Sequence, residues 1–155
     1  MQMAKFPPIL CGLLLVAAGG LCAAPAADAA GSRAGQIQIV VVGLHSDAGR
    51  LVCSLFDSAE DFPRDQKDEA ITISVPIVAR SGTCTFPVKK PGRYAAVVYH
   101  DENADGKFNT NWLGLPKEGY GFSNDASISW RPPNFQEAGF EFDGGTRRIT
   151  VHIRY

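Results

Sequence analysis

Apolar residues in this chain recur at every second position rather than every third or fourth, and that period restricts it to extended strands. Ile71, Ile73, Val75 and Ile77 alternate with smaller or polar neighbours, and residues 36–44, QIQIVVVGL, set Ile37, Ile39 and Val41 on one face. Leu51, Cys53 and Leu55 continue the pattern after an Asp47-Ala48-Gly49 turn. Cys84, Phe86 and Val88 form another short run, and Ala95, Val97 and Tyr99 a further one. Phe140 and Phe142, then Ile149, Val151, Ile153 and Tyr155, read as a closing hairpin around Asp143-Gly144-Gly145. Side chains two apart share a face of a strand, whereas a helix needs apolar positions three and four apart. No window of helical length sustains such a stripe. The best of them, residues 58–69, is acidic and interrupted by Pro63, which leaves at most a turn of helix.

About seven short strands separated by Gly, Asp and Pro turns predict an all-β fold, an antiparallel two-sheet sandwich of immunoglobulin-like or transthyretin-like kind. One face of each strand should enter a shared core and the other should meet water. A small barrel uses the same pattern, since alternation does not say whether the edges close. Residues 101–137 break the rule: they hold Gly, Asn, Pro and aromatics with little alternation, and are expected as one long ordered loop. A loop of that length in a compact domain is commonly functional.

The N-terminus addresses the compartment. Residues 1–5 carry one positive charge, residues 9–18 read ILCGLLLVAA, and GLCAAPAADAA follows from Gly20. Basic, apolar and small-residue regions in that order predict a secretory signal peptide. A membrane span needs roughly 20 apolar residues, about twice this core, so no anchor is expected after cleavage. Small residues permit cleavage after Ala26 or Ala29. The second bond divides the chain into a signal peptide at 1–29, a short linker at 30–35 and a single domain at 36–155, exported to the periplasm or beyond the cell. Cys11 lies inside the apolar core and Cys22 follows the large Leu21, a poor context for lipidation, so both leave with the signal. Cys53 and Cys84 remain. An even pair in an oxidising compartment predicts a disulfide, with two separate buried thiols as the alternative.

A net charge of -1 without a basic cluster argues against nucleic acid as partner. His45, His100 and His152 are isolated, which speaks against zinc, and Lys117-Glu118-Gly119-Tyr120-Gly121 lacks the phosphate-cradling glycine motif. Residues 100–112, HDENADGKFNTNW, are the richest in chemistry. Asp101, Asn103 and Asp105 are alternate oxygen donors before Gly106, with the Lys107 carbonyl and Asn109 able to continue a calcium shell. Trp112 stands where a closing carboxylate would be, so Glu118 or Asp125 would have to complete the site. The competing reading is a metal-free turn whose Asp and Asn side chains accept backbone amides. An enzyme would draw on His100, Asp101, Asp105 and Glu118, as paired carboxylates in glycoside hydrolysis or as His100 with Ser123 in nucleophilic catalysis. Trp112, Tyr120, Phe122, Trp130 and Phe135 either line a carbohydrate or peptide surface or fold back as a satellite core.

The block at residues 98–122, VYHDENADGKFNTNWLGLPKEGYGF, resembles the DUF2141 family of secreted bacterial proteins, as do Asn124 and Pro132-Pro133-Asn134-Phe135-Gln136-Glu137-Ala138. The resemblance spans roughly residues 37–155 and implies an exported, β-rich domain; it carries no catalytic residues across. Two functions follow from the residues: a non-catalytic exported module that binds a cell-envelope protein or glycan, with calcium as its candidate cofactor, or an envelope polysaccharide hydrolase. Export is checked first. Intact mass of protein recovered from the cell envelope should lack the first 26 or 29 residues, and a full-length cytoplasmic species would overturn it.

Overall fold

The computed structural model describes residues 34–64, 70–128 and 130–155. The expected signal peptide, Cys11, Cys22, most of the linker and residues 65–69 of the acidic segment lie outside them. Among the described residues eight strands form: β1 (Gly35–Val42), β2 (Arg50–Phe56), β3 (Ile71–Val75), β4 (Ser81–Val88), β5 (Gly92–Asp101), β6 (Tyr120–Phe122), β7 (Phe140–Phe142) and β8 (Gly145–His152). A single helical turn, α1 (Phe135–Ala138), precedes β7.

The strands make two sheets, one of three strands in the order β4-β1-β8 and one of five in the order β3-β2-β5-β6, with β7 also paired to β5. This is the expected sandwich. Ile37, Ile39 and Val41 of β1, Cys84, Phe86 and Val88 of β4, and Ile149 and Val151 of β8 pack against Leu51, Cys53 and Leu55 of β2. The inward alternation holds position by position in β1 and β4, whereas in β2 Val52 and Phe56 on the opposite face are buried as well. Burying such side chains contributes about 1.5–3 kcal/mol each relative to exposure.

Three features differ from the sequence reading. Phe140–Phe142 and Gly145–His152 do not form a hairpin: β7 pairs with β5 in the larger sheet, whereas β8 crosses to the smaller sheet and lies parallel to β1. Alternation assigns each strand a buried face but no pairing partner, and both faces here look into the same core. Second, the main core takes Tyr94, Ala96 and Val98 from β5, not Ala95, Val97 and Tyr99. Ala95 and Val97 are covered from the opposite side by a second cluster containing Phe56, Phe62, Tyr120, Phe122, Phe135 and Ala138. The outer face of β5 is therefore roofed rather than solvated. Third, residues 101–137 are not without elements, since β6, a 3-10 turn at Ser123–Asp125 and α1 supply the roof.

A backbone bridge and a disulfide join the two sheets. Tyr120 and Arg154 exchange backbone hydrogen bonds of 2.8 Å each, linking the β6 edge to the chain leaving β8. Gly121 permits that approach, since a Cβ there would stand 2.6 Å from the Val151 side chain. Across the core, Cys53 of β2 and Cys84 of β4 are disulfide-bonded, with Cα atoms 6.4 Å apart and a separation of 31 residues. Closing a loop of that size restricts the unfolded chain, so replacing both cysteines with alanine should cost about 3–4 kcal/mol in urea unfolding. Non-reducing peptide mapping should recover the two cysteine peptides as one species; two alkylatable thiols would refute the bond.

Candidate functional site

Strand β5 ends in two buried polar residues, His100 and Asp101, and the loop beyond it is built around their side chains. The Asp101 carboxylate accepts the amide N–H of Asp105 through Oδ1 at 3.1 Å and that of Gly106 through Oδ2 at 2.9 Å. Gly106 takes a φ of 76°, the left-handed conformation its position required. Asp105 in turn accepts the Lys107 N–H at 2.8 Å and the side-chain amides of Asn103 at 3.0 Å and Asn109 at 2.9 Å. Those bonds, from Asn109 first and Asn103 second, hold its carboxyl below the usual carboxylate range. Behind the turn, a Cβ at Gly49 would overlap the Asp101 carbonyl, so only glycine fits there.

Glu118 is buried and accepts the Asn109 N–H at 2.9 Å, with the Asn109 side-chain amide 3.4 Å from its other oxygen. Asn109 thus bridges Asp105 and Glu118. Burial pushes the neighbouring Tyr99 phenol up, and the charges of Asp101, Glu118 and Asp105 add to the shift. Asp101, Asn103, Asp105, Lys107, Asn109 and Glu118 are therefore brought into one hydrogen-bonded turn. Asp125 does not join them. It sits on the 3-10 turn against β8, where Oδ1 accepts the His152 N–H at 2.8 Å and Oδ2 meets its ring at 2.7 Å. Burial raises its pKa, but these bonds from His152 outweigh that and leave it lowered. Among the described residues, no group of three or more His, Cys, Asp or Glu side chains is placed to hold a metal ion.

His100 has both ring nitrogens engaged. Nε2 lies 2.8 Å from the Ala48 carbonyl, which can only accept, so Nε2 donates; Nδ1 lies 2.6 Å from the Tyr155 hydroxyl and 3.4 Å from Glu102 Oε1. Ser123 is not its partner. Its hydroxyl donates to the Ala138 carbonyl at 2.6 Å and accepts the Ala96 N–H at 2.8 Å, tying α1 to β5. That role has no sequence signature. The α1 cap does have one: Asn134 and Glu137 form a reciprocal capping box, and Arg131 pairs with Glu137 at 2.9 Å.

The model of the DUF2141 family, described as "Uncharacterized protein conserved in bacteria", matches residues 39–150. The chain belongs to this family. No curated protein and no solved structure matches it. In this DUF2141 domain the match runs from the centre of β1 into β8 and includes both the carboxylate turn and the roof.

The aromatics of the excursion divide. Phe122, Phe135 and Tyr120 fold into the second cluster, and Phe108 packs edge-on against Tyr99 and Tyr120. Trp112 and Trp130 do not fold back; they are 90% and 101% exposed. A surface hollow lined by Phe62, Pro63, Arg64, Arg131 and Pro132 includes none of the turn's carboxylates.

Two outcomes follow from the carboxylate bonding. Asp101→Asn should cost about 1–3 kcal/mol in urea unfolding, because the new NH2 group would face one of the two N–H donors that the buried carboxylate now accepts; unchanged stability would refute the role. The hydrogen bond from Arg131, followed by that from the Asn134 backbone, draws Glu137 from an ordinary 4.5 down to about 2. A depressed pKa stabilises the native state above the ordinary value, and that contribution is lost as pH falls through about 2. An NMR titration of the Glu137 carboxyl should place its midpoint there.

Proposed function

We propose that this protein is an exported, non-catalytic β-sandwich module that works by binding a cell-envelope protein or glycan through residues 101–137. The observation that carries this reading is the bonding of Asp101, Asp105 and Glu118 to backbone and side-chain amides of their own loop. A polysaccharide hydrolase needs one carboxyl group free to protonate a leaving oxygen and a second facing the sugar ring. Asp101 and Glu118 are instead buried and oriented by N–H donors. His100 is likewise held at both nitrogens. Export is supported by the order of basic, apolar and small residues at the N-terminus.

Calcium is the cofactor this reading accommodates. Both Asp101 oxygens and Asp105 Oδ1 each accept one N–H and retain a lone pair, whereas Asp105 Oδ2 already accepts two; Asn103, Asn109 and the Lys107 carbonyl stand beside them as neutral oxygens. Glu118 is the carboxylate in reach of this turn through Asn109.

Incubation of the mature protein with purified envelope polysaccharide should yield sedimentable binding and no new reducing ends. Reducing ends that disappear in Glu118→Gln would overturn the non-catalytic reading. Calcium titration after exhaustive chelation should raise stability, by roughly 2.7 kcal/mol at about one hundred times Kd, and more weakly in Asp105→Ala. No heat and no stability change at millimolar calcium would make the turn metal-free while leaving the binding module standing.

A further inference from the structure

Residues 109–117 form a finger rather than a slack loop. Lys117 donates its N–H to the Asn109 carbonyl at 2.9 Å, Thr110 bridges to Pro116, and the Asn111 N–H reaches the Leu115 carbonyl at 2.8 Å. At the tip the Asn111 side-chain oxygen accepts the N–H groups of Leu113 and Leu115 at 2.9 and 3.0 Å. The Gly114 N–H closes on the Asn111 carbonyl at 2.9 Å. The base is held by buried Glu118 through Asn109. What this framework holds in water is apolar: Trp112, with Leu113 and Leu115 at 60% and 57% exposure. Single exposed apolar residues are ordinary, but three within four positions on a hydrogen-bonded tip constitute a patch.

The charges select its partner. Within residues 107–117 the only ionised side chains are Lys107 and Lys117, one at each foot of the finger, both exposed. Of the nearest carboxylates, Asp105 is exposed and its charge faces Lys107, while Glu118 is turned into the interior, which leaves the positive charge of Lys117 at the surface. A tip of one exposed tryptophan and two exposed leucines with the Lys117 charge at its foot matches an anionic bilayer surface. Tryptophan settles at headgroup level, leucine enters the acyl boundary, and lysine meets lipid phosphate. We propose that the finger at residues 109–117 is a lipid-contact element that inserts Trp112, Leu113 and Leu115 into an anionic membrane surface. This rests on the binding-module reading and names a lipid partner for one part of the excursion; vesicle binding and polysaccharide turnover are separate readouts, so either can fail without the other.

The chain has two tryptophans, so Trp130→Phe in the mature protein leaves Trp112 as sole reporter. Added vesicles of phosphatidylglycerol and phosphatidylcholine should shift Trp112 emission to the blue, and brominated acyl chains should quench it. Leu113→Asp with Leu115→Asp should weaken vesicle sedimentation at least tenfold with an unchanged circular dichroism spectrum. Lys107→Glu with Lys117→Glu should remove the preference over pure phosphatidylcholine. Absence of an emission shift, or sedimentation that survives the double aspartate variant, overturns the proposal. Equal binding of the parent to pure phosphatidylcholine overturns the anionic assignment. A parent dimer that the aspartate variant dissolves, without vesicle binding, assigns the tip to a second copy instead.

Discussion

The burial of β5 on both faces is the constraint from which the rest of the structure follows, because a strand in a two-layer sandwich normally has one layer to pack against. Tyr94, Ala96 and Val98 face the smaller sheet, while Ala95 and Val97 face the roof made by Phe122, Phe135, Ala138 and Phe62. The small side chains of Ala95 and Ala96 let both layers come close. Removing the roof would expose an apolar sheet face, so the long excursion is part of the core in energetic terms and is ordered for that reason. Ser123 completes the attachment by joining the β5 backbone to the end of α1.

Two-sided burial also explains the chemistry at the C-terminal end of β5. His100 and Asp101 leave the core still buried, and buried polar groups require partners. His100 takes them from Ala48 and Tyr155, which belong to the β1–β2 connection and to the chain after β8. Asp101 takes them from the amides of its own loop. The carboxylates thus act first as organisers of backbone, and the surface they organise is what remains available for recognition. The finger is the outermost product of that order, anchored by Glu118 and tipped by Trp112.

How far this was legible depended on whether the signal was local. Strand faces in β1, β4 and β8 followed from alternation because each lies against one layer. The same rule misassigned β5, where both faces are apolar and Ala95, Val97 and Tyr99 alternate as regularly as Tyr94, Ala96 and Val98. The Asp101 turn was legible because an Asp-x-Asn-x-Asp-Gly run encodes its own hydrogen bonds within six residues. The Ser123 and Tyr155 contacts were not, since their partners lie 15 to 55 residues away.

By itself the sequence determined the class of fold, the inward face of the one-sided strands, the cysteine pair suited to a disulfide and the turn chemistry at residues 101–107. These depend on periods of two and on side chains reaching their own backbone. Only the tertiary structure decided that β8 leaves β7 to lie parallel with β1 and that Asp125 belongs with His152 rather than with the carboxylate turn. It also decided that Trp112 stays in water while Phe135 does not. Those outcomes turn on which of several apolar or acidic groups is nearest once the layers have closed, and contacts between distant segments leave no period in the chain.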